Sequence, residues 1–286
     1  MLKDAYKLVL PEIQTTSVVF ASPHSGRQYP WAFLRKSVLD EQMIRSSEDA
    51  FVDLLIETSA TCGAPMLAAI MPRAYLDLNR APDELDPAVI DGAKRATHNP
   101  RIASGLGVIP RVVSNGREIY RGKMKLSEAN ARIANYWRPY HDQLQTLLDA
   151  TRNEFGEAIL VDCHSMPHEA TDAILRPGFP RAEIILGDRF GASASSTLVD
   201  QVEDIFLNAG LKVSRNAPFA GAYITQHYGR PSKRQHAIQI EIDRSLYMNE
   251  QLVRPNGNFK AFQKLMQSIV AEISEVGRRQ LPLAAE

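Results

Sequence analysis

The sequence predicts an α/β fold, a mainly parallel or mixed sheet covered by helices on both faces. Two observations carry that reading. Short β-branched and apolar runs recur along the chain, and segments with helical periodicity separate several of them, as crossover connections require. The chain also has the material for a sizeable core: 286 residues, 44% apolar and 23% charged, need no disulfide or metal to fold. No internal repeat, low-complexity tract or long linker interrupts it, so one continuous domain over 1–286 is expected.

Taken in order, Ser17–Ser22 (SVVFAS) is a β-branched and aromatic run stopped by Pro23. Ser46 or Ser47 can cap a helix with Glu48 and Asp49 in its first turn, and Phe51, Leu54, Leu55 and Thr58 then fall on one helical face. Ala64–Met71 reads as a buried strand and Ala74–Asn79 as an alternating one. From Ala81 to Lys123, Pro and Gly recur and no periodicity persists, a long loop of the kind that usually serves function. A helix from Ser127 to about Arg152 carries the stripe Ile133, Trp137, Tyr140, Leu144 and Leu147, with a kink expected at Pro139. Ala158–Cys163 and Glu183–Leu186 are buried strands. Leu198, Val202, Ile205 and Phe206 mark a helix closed by Gly210. His236–Asp243 alternates, with Ile238, Ile240 and Ile242 on one side and Gln239, Glu241 and Asp243 on the other. Phe259 to Ile273 completes the pattern as a helix.

Composition excludes several functions. With 33 basic and 33 acidic residues the formal net charge is zero, which argues against capture of nucleic acid or anionic lipid. No apolar run approaches the ~20 residues that cross a bilayer. Met1–Val9 has charges scattered through it and no apolar stretch like that of a signal peptide. Cys62 and Cys163 are too few for a disulfide framework, so a cytoplasmic location is expected. There is no nucleophile elbow, P-loop, His-Glu-x-x-His pair or dinucleotide fingerprint.

In α/β sheets, ligands gather beyond the carboxyl ends of strands. Two strand ends here deliver histidine: His24 in Pro23-His24-Ser25-Gly26, and His164 in His164-Ser165-Met166. Two imidazoles and a carboxylate form a standard ligand set for a catalytic zinc, with a fourth position left open. Glu48 and Asp49 are the nearest acids to His24, and Asp162 is placed to hold the His164 ring. The other five histidines, His98, His141, His168, His227 and His236, read as surface or packing residues. Arg73, Asp77, Asn79 and Arg80 form a second cluster, suited either to clamping a carboxylate or to an internal Asp77–arginine pair. Glu241 is a carboxylate in an otherwise core-like strand. It suits a general base, or an ion pair with Arg244 or Arg234.

Seven ordered blocks then resemble one family, the N-formylglutamate amidohydrolases: PHSGRQYP (23–30), SEDAFVDLL (47–55), PRAYLDLNR (72–80), YWRPYHDQL (136–144), VDCHSM (161–166), GAYITQHYG (221–229) and AIQIEIDRSLYM (237–248). They span about residues 18 to 250. The resemblance implies a three-layer α/β/α sandwich around a mixed, mainly parallel sheet, as in zinc carboxypeptidases and aspartoacylases. It implies a cytoplasmic enzyme of histidine degradation that binds one Zn2+ and releases formate from N-formyl-L-glutamate or a related N-acyl amino acid. His24, His164 and Asp49 resemble the metal ligands, with Glu48 as the alternative acid, and Glu241 resembles the general base. Arg73, Asn79 and Arg80 resemble the groups that polarise the carbonyl and hold substrate carboxylate, with Tyr223 and Arg121 as further contacts. One departure is Gly221-Ala222-Tyr223 where many relatives carry Gly-Gly-Tyr, which narrows that loop. Two other readings fit the same residues: a zinc carboxypeptidase or amidase acting on a peptide or cell-wall fragment, and a carboxylate-binding protein without catalysis. The expected partner is a small molecule; the oligomeric state is left open.

Overall fold

The computed structural model describes residues 4–94, 99–175 and 180–278; His98 lies outside them. Seven strands form the central sheet: β1 (Tyr6–Val9), β2 (Val18–Ser22), β3 (Met66–Ala69), β4 (Ala158–Met166), β5 (Ile184–Gly187), β6 (Val213–Arg215) and β7 (Gln235–Asp243). Their order across the sheet is β1-β3-β2-β4-β7-β5-β6. Four neighbouring pairs are parallel; β1·β3 and β7·β5 are antiparallel. The sheet is therefore mixed and mainly parallel, as expected. The edge strands β1 and β6 carry little sequence signal because they are only four and three residues long.

The central strands are buried on both faces, which explains their near-continuous apolar sequences. On one face Val18, Phe20, Val161, Ile238, Ile240 and Ile242 pack against Val202, Phe206, Met266, Ile269 and Ile273. Those partners belong to two helices, Ser196–Asn208 and Phe259–Val276. On the other face Val19, Ala21, Leu160 and Ala237 pack against Trp137, Tyr140, Leu144 and Leu148. Each fully buried side chain of this size contributes about 1.5–3 kcal/mol, and neither face can be stripped without exposing the sheet. Helices thus surround the sheet. Among the described residues no helix is long and apolar enough to cross a membrane.

Local structure departs from expectation in three places that bear on the site. The first is the helix expected after Ser46, which is reduced to Val52–Leu55 and continues as a 3-10 segment, Glu57–Cys62. Phe51 has φ 67, a left-handed conformation that breaks the helix on its N-terminal side. The Asp49 amide instead donates to the His24 carbonyl at 3.1 Å. The second is Ala74–Asn79, which is a turn rather than a strand. The amides of Tyr75 and Leu76 both bond back to the Pro72 carbonyl, and Asp77 accepts from the Asn79 amide. The third is the helix carrying Pro139. It widens into a π-helical segment at Ile133–Trp137, between Leu126–Arg132 and Arg138–Phe155, and so accommodates the donor that proline lacks.

The Gly/Pro-rich stretch is irregular, as read, yet packed. A two-residue strand, Ile90–Asp91, pairs with Met124–Lys125, and Val89, Ile90, Val108 and Ile109 are buried. Part of it, including Arg101 and Leu106, lines the same cavity as residues at the carboxyl ends of the central strands.

Candidate active site

Three strand ends supply the centre. His24 follows β2. His164 lies in the last turnless residues of β4, which runs to Met166 and is longer than the sequence pattern suggests. Glu241 lies in β7 as the register partner of His164, so both side chains leave the same face of adjacent parallel strands. The His24 loop is fixed by close backbone contact: the Gln28 amide donates to the Ile70 carbonyl at 3.0 Å, and a Cβ on Gly26 would sit 2.1 Å from the Met71 carbonyl oxygen. Only glycine fits there.

His24, Asp49 and His164 converge. His164 Nδ1 lies 3.1 Å from His24 Nδ1 and 2.9 Å from Asp49 Oδ2, and His24 Nδ1 is 3.3 Å from the same oxygen. All three residues are at most 2% exposed, and together they form a group able to hold a metal ion. The far nitrogen of each ring meets a carboxylate: His24 Nε2 to Asp77 Oδ1 at 2.7 Å, His164 Nε2 to Asp162 Oδ2 at 3.0 Å. Ionised carboxylates favour a proton on Nε2, so in the neutral rings the Nδ1 lone pairs face each other and Asp49.

Three acceptors facing one point can hold a cation between them. Tetrahedral zinc, with ligands at about 2.0–2.1 Å, separates neighbouring ligand atoms by roughly 3.3 Å, close to the spacings seen. Without a metal, the pocket itself draws positive charge. Burial disfavours the charged His164, but the carboxylates of Asp162, Asp49 and Glu241 outweigh it and hold its pKa well above the ordinary value. Burial likewise opposes ionisation of Asp49, and hydrogen bonds with His164 and His24 overcome it, holding its carboxyl well below the usual range. The locus favours positive charge.

The remaining polar groups brace this centre. Arg244 Nη2 donates to Asp49 Oδ1 at 3.0 Å and leaves Oδ2 to the histidines. Glu48 is turned away, bound by Arg45 at 2.9 and 3.0 Å and by the Tyr29 hydroxyl at 2.6 Å. Asp77 also accepts from Arg73 Nε at 3.0 Å, so the arginine pair and the histidine contact coexist on one carboxylate. The Asn79 amide is oriented by accepting from the Ile224 amide at 2.8 Å, which leaves Nδ2 3.3 Å from His164 Nε2 and 3.5 Å from Gln239 Oε1.

Glu241 pairs with neither Arg244 nor Arg234. Arg244 goes to Asp49, and Arg234 is largely exposed with Glu157 at 3.9 Å. Glu241 Oε1 accepts from Gln239 Nε2 at 2.9 Å. Its pKa is raised to about 7: burial raises it, the His164 charge opposes, and the Asp49 charge adds. A carboxyl poised there is suited to proton exchange at neutral pH.

A cavity of about 690 Å³ opens over these groups, lined by His24, Arg73, Asp77, Asn79, Arg80, His164 and Glu241 among the expected residues. Arg121 and Tyr223 are not in its lining. Arg121 is exposed on the surface. The Tyr223 ring packs behind the wall, against Trp137, His141 and His227, while its neighbours Gly221 and Ala222 face the cavity. The irregular stretch contributes Arg101 in place of Arg121, and Gln239 and Arg244 complete the polar lining. His141 is buried between the Leu78 carbonyl and the Tyr228 hydroxyl, a packing role as expected.

Comparison with known proteins follows the same lines. A family model described as N-formylglutamate amidohydrolase matches residues 16–248. The chain is 30% identical over 240 residues to an N-formylglutamate deformylase of Pseudomonas putida, covering 82% of each chain. It is 30% identical over 242 residues to the corresponding protein of Pseudomonas aeruginosa, covering 82% of this chain and 83% of that one. Among solved structures, an N-formylglutamate amidohydrolase from Ralstonia eutropha superposes with a TM-score of 0.89 at 35% identity, over 96% of this chain and 99% of that one. A gene product of Agrobacterium tumefaciens shares the fold, with a TM-score of 0.66 at 18% identity over 96% of each chain.

Proposed function

The chain belongs to the N-formylglutamate amidohydrolase family, and from that premise we propose that it hydrolyses the amide of N-formyl-L-glutamate, with zinc held by His24, Asp49 and His164. The observation that carries the reading is the convergence of three lone-pair donors beside a buried carboxyl of raised pKa, at the floor of an arginine-lined cavity. Two nitrogens and one carboxylate oxygen are donors that suit zinc. When bound, a divalent ion supplies Lewis acidity, polarising a carbonyl and bringing the pKa of water toward ~7 from 15.7.

The protein's own groups supply the rest. Glu241 accepts a proton from the attacking water as its oxygen bonds to the formyl carbon. Arg73, fixed at Nε by Asp77, presents its remaining donors to the cavity and stabilises the negative charge growing on the carbonyl oxygen. Glu241 then passes the proton to the amide nitrogen as the C–N bond breaks. Formate and a free amine leave, and Glu241 returns to its starting state. Asn79 and Arg80 orient the substrate carboxylate so that the amide stays over the reacting groups. A small-molecule substrate and a cytoplasmic setting fit the neutral formal charge and the two unpaired cysteines.

The experiment combines metal analysis of the purified protein with formate release from N-formyl, N-acetyl and peptide substrates. About one zinc per chain and formate release from N-formyl-L-glutamate support the reading. Metal-free protein that is not activated by added zinc, or turnover confined to peptides, overturns it.

A further inference from the structure

The arginines around the cavity are not equally neutralised. Arg73 is paired with Asp77 and Arg244 with Asp49. Arg80 is buried, and its guanidinium donates to backbone carbonyls: Nε to Leu106 at 2.8 Å and Nη1 to Asn79 at 2.7 Å. Arg101 lines the same cavity, and among the described residues its guanidinium has no carboxylate partner. Among the described residues, these two positive groups line the cavity without a hydrogen-bonded counter-charge. Burial pulls the Arg80 pKa below its ordinary value; Asp77 opposes this, and the charges of Arg73 and Arg101 add to it.

The Arg80 side chain and the Arg101 backbone are also joined through one residue. Leu106 accepts from Arg80 Nε through its carbonyl and donates its amide to the Arg101 carbonyl at 2.8 Å. The turn that makes this possible is tight: Gly105 has φ 78, and a Cβ on Gly107 would lie 2.5 Å from the Glu84 carbonyl oxygen. The Arg101 backbone is therefore held on a packed segment beside Arg80, and its side chain lines the same cavity. Guanidinium groups bind carboxylates by paired, charge-assisted hydrogen bonds, and an unpaired guanidinium in a cavity wall is a carboxylate site in waiting.

We propose that Arg101 determines specificity: with Arg80 it binds the side-chain carboxylate of the substrate, so that the cavity selects N-formyl dicarboxylic amino acids over their side-chain amides. The assignment rests on the amide-hydrolase reading above and deepens it. A site built to pair with a charged oxygen rejects the analogue lacking it, because its own donors are left desolvated and unmatched.

The test compares N-formyl-L-glutamate with N-formyl-L-glutamine in the zinc-loaded wild type, Arg101→Met and Arg101→Lys. Binding of free L-glutamate and L-glutamine by calorimetry runs alongside and needs no turnover. The wild type should favour the glutamate compounds. Arg101→Met should raise KM for N-formyl-L-glutamate by about 10- to 100-fold, the range for a lost hydrogen bond to a charged group, with kcat little changed. The glutamine values should not move, and Arg101→Lys should recover part of the loss because it keeps the charge without the fork. Arg101 is only half-buried, and a thermal melt confirms that the variants fold. Equal preference in the wild type, or a preference that survives in Arg101→Met, overturns the proposal while leaving the hydrolase reading intact. Wild type that releases no formate overturns the hydrolase reading instead; calorimetry then decides Arg101, with loss of L-glutamate binding in Arg101→Met supporting it and unchanged or absent discrimination refuting it.

Discussion

Asp77 is the point at which the centre is most easily perturbed in a graded way. Its Oδ1 meets His24 Nε2 at 2.7 Å and the Asn79 amide at 2.8 Å, while Oδ2 accepts from Arg73 Nε at 3.0 Å. The residue is 1% exposed, and its carboxyl lies well below the usual range: burial opposes ionisation, and the charges of His24, Arg73 and Arg80 overcome it. Asp77→Asn can keep Oδ1 with both of its donors, but it sets an NH2 group against Arg73 Nε. That should cost about 1.5–3 kcal/mol, the worth of one charge-assisted hydrogen bond. Asp77→Ala removes all three contacts. It should cost about 3–5 kcal/mol for the broken buried ion pair alone. It also frees the His24 ring to move its proton to Nδ1, the nitrogen that faces His164 and Asp49. Metal affinity should fall by about 10–100-fold in the alanine variant and less in the asparagine variant. Urea unfolding measures the first quantity, and competition with a chromophoric chelator the second. A folded Asp77→Ala protein with wild-type metal affinity would refute the assignment of Asp77 as the group that orients His24.

Two further outcomes are expected. Glu241→Gln preserves shape and can keep the Gln239 contact, so metal content should be unchanged while kcat falls at least about 100-fold; wild-type turnover would remove Glu241 from proton transfer. Burial brings the His141 pKa down to about 3, against about 6.5 for the same group in an unfolded chain. Below about pH 6.5 the unfolded chain takes up that proton first, so the stability is complete above this value and is lost as pH falls toward 3, by up to roughly 1.4 kcal/mol per unit. His141→Gln should reduce the pH slope of unfolding free energy between about pH 4 and 6 by one proton; an unchanged slope would show that His141 is not held neutral.

The sheet and the convergence of His24 with His164 were legible because both rest on strand patterns, which depend on local alternation and burial. Asp162 was legible as the support for His164 because it lies two residues earlier on the same strand face. Glu241 stood out as a carboxylate among isoleucines, and β-strand alternation correctly put it opposite Ile240 and Ile242. The Asp77 contact with His24 was not legible, because the segment around it alternates like a strand while Pro72 and the Asp77 side chain hold it as a turn. The choice between Glu48 and Asp49 was equally closed to periodicity. It is made by Arg45 and Tyr29 on one acid and by Arg244 and the histidines on the other, contacts distant in sequence. That Arg101 and not Arg121 lines the cavity was not legible, because an irregular stretch gives no rule for which arginine turns inward.

The pairing of His164 with Glu241 across β4 and β7 has a broader consequence. Their separation is fixed by the backbone ladder, whose strands lie about 4.8 Å apart, rather than by how side chains happen to pack. A register slip of one residue would send one of them to the far side of the sheet. On the proposed mechanism the reacting groups are therefore set on a rigid gauge, whereas Arg101 sits on an irregular segment. Redesign of that segment could retune which amine is released while the gauge stays as it is.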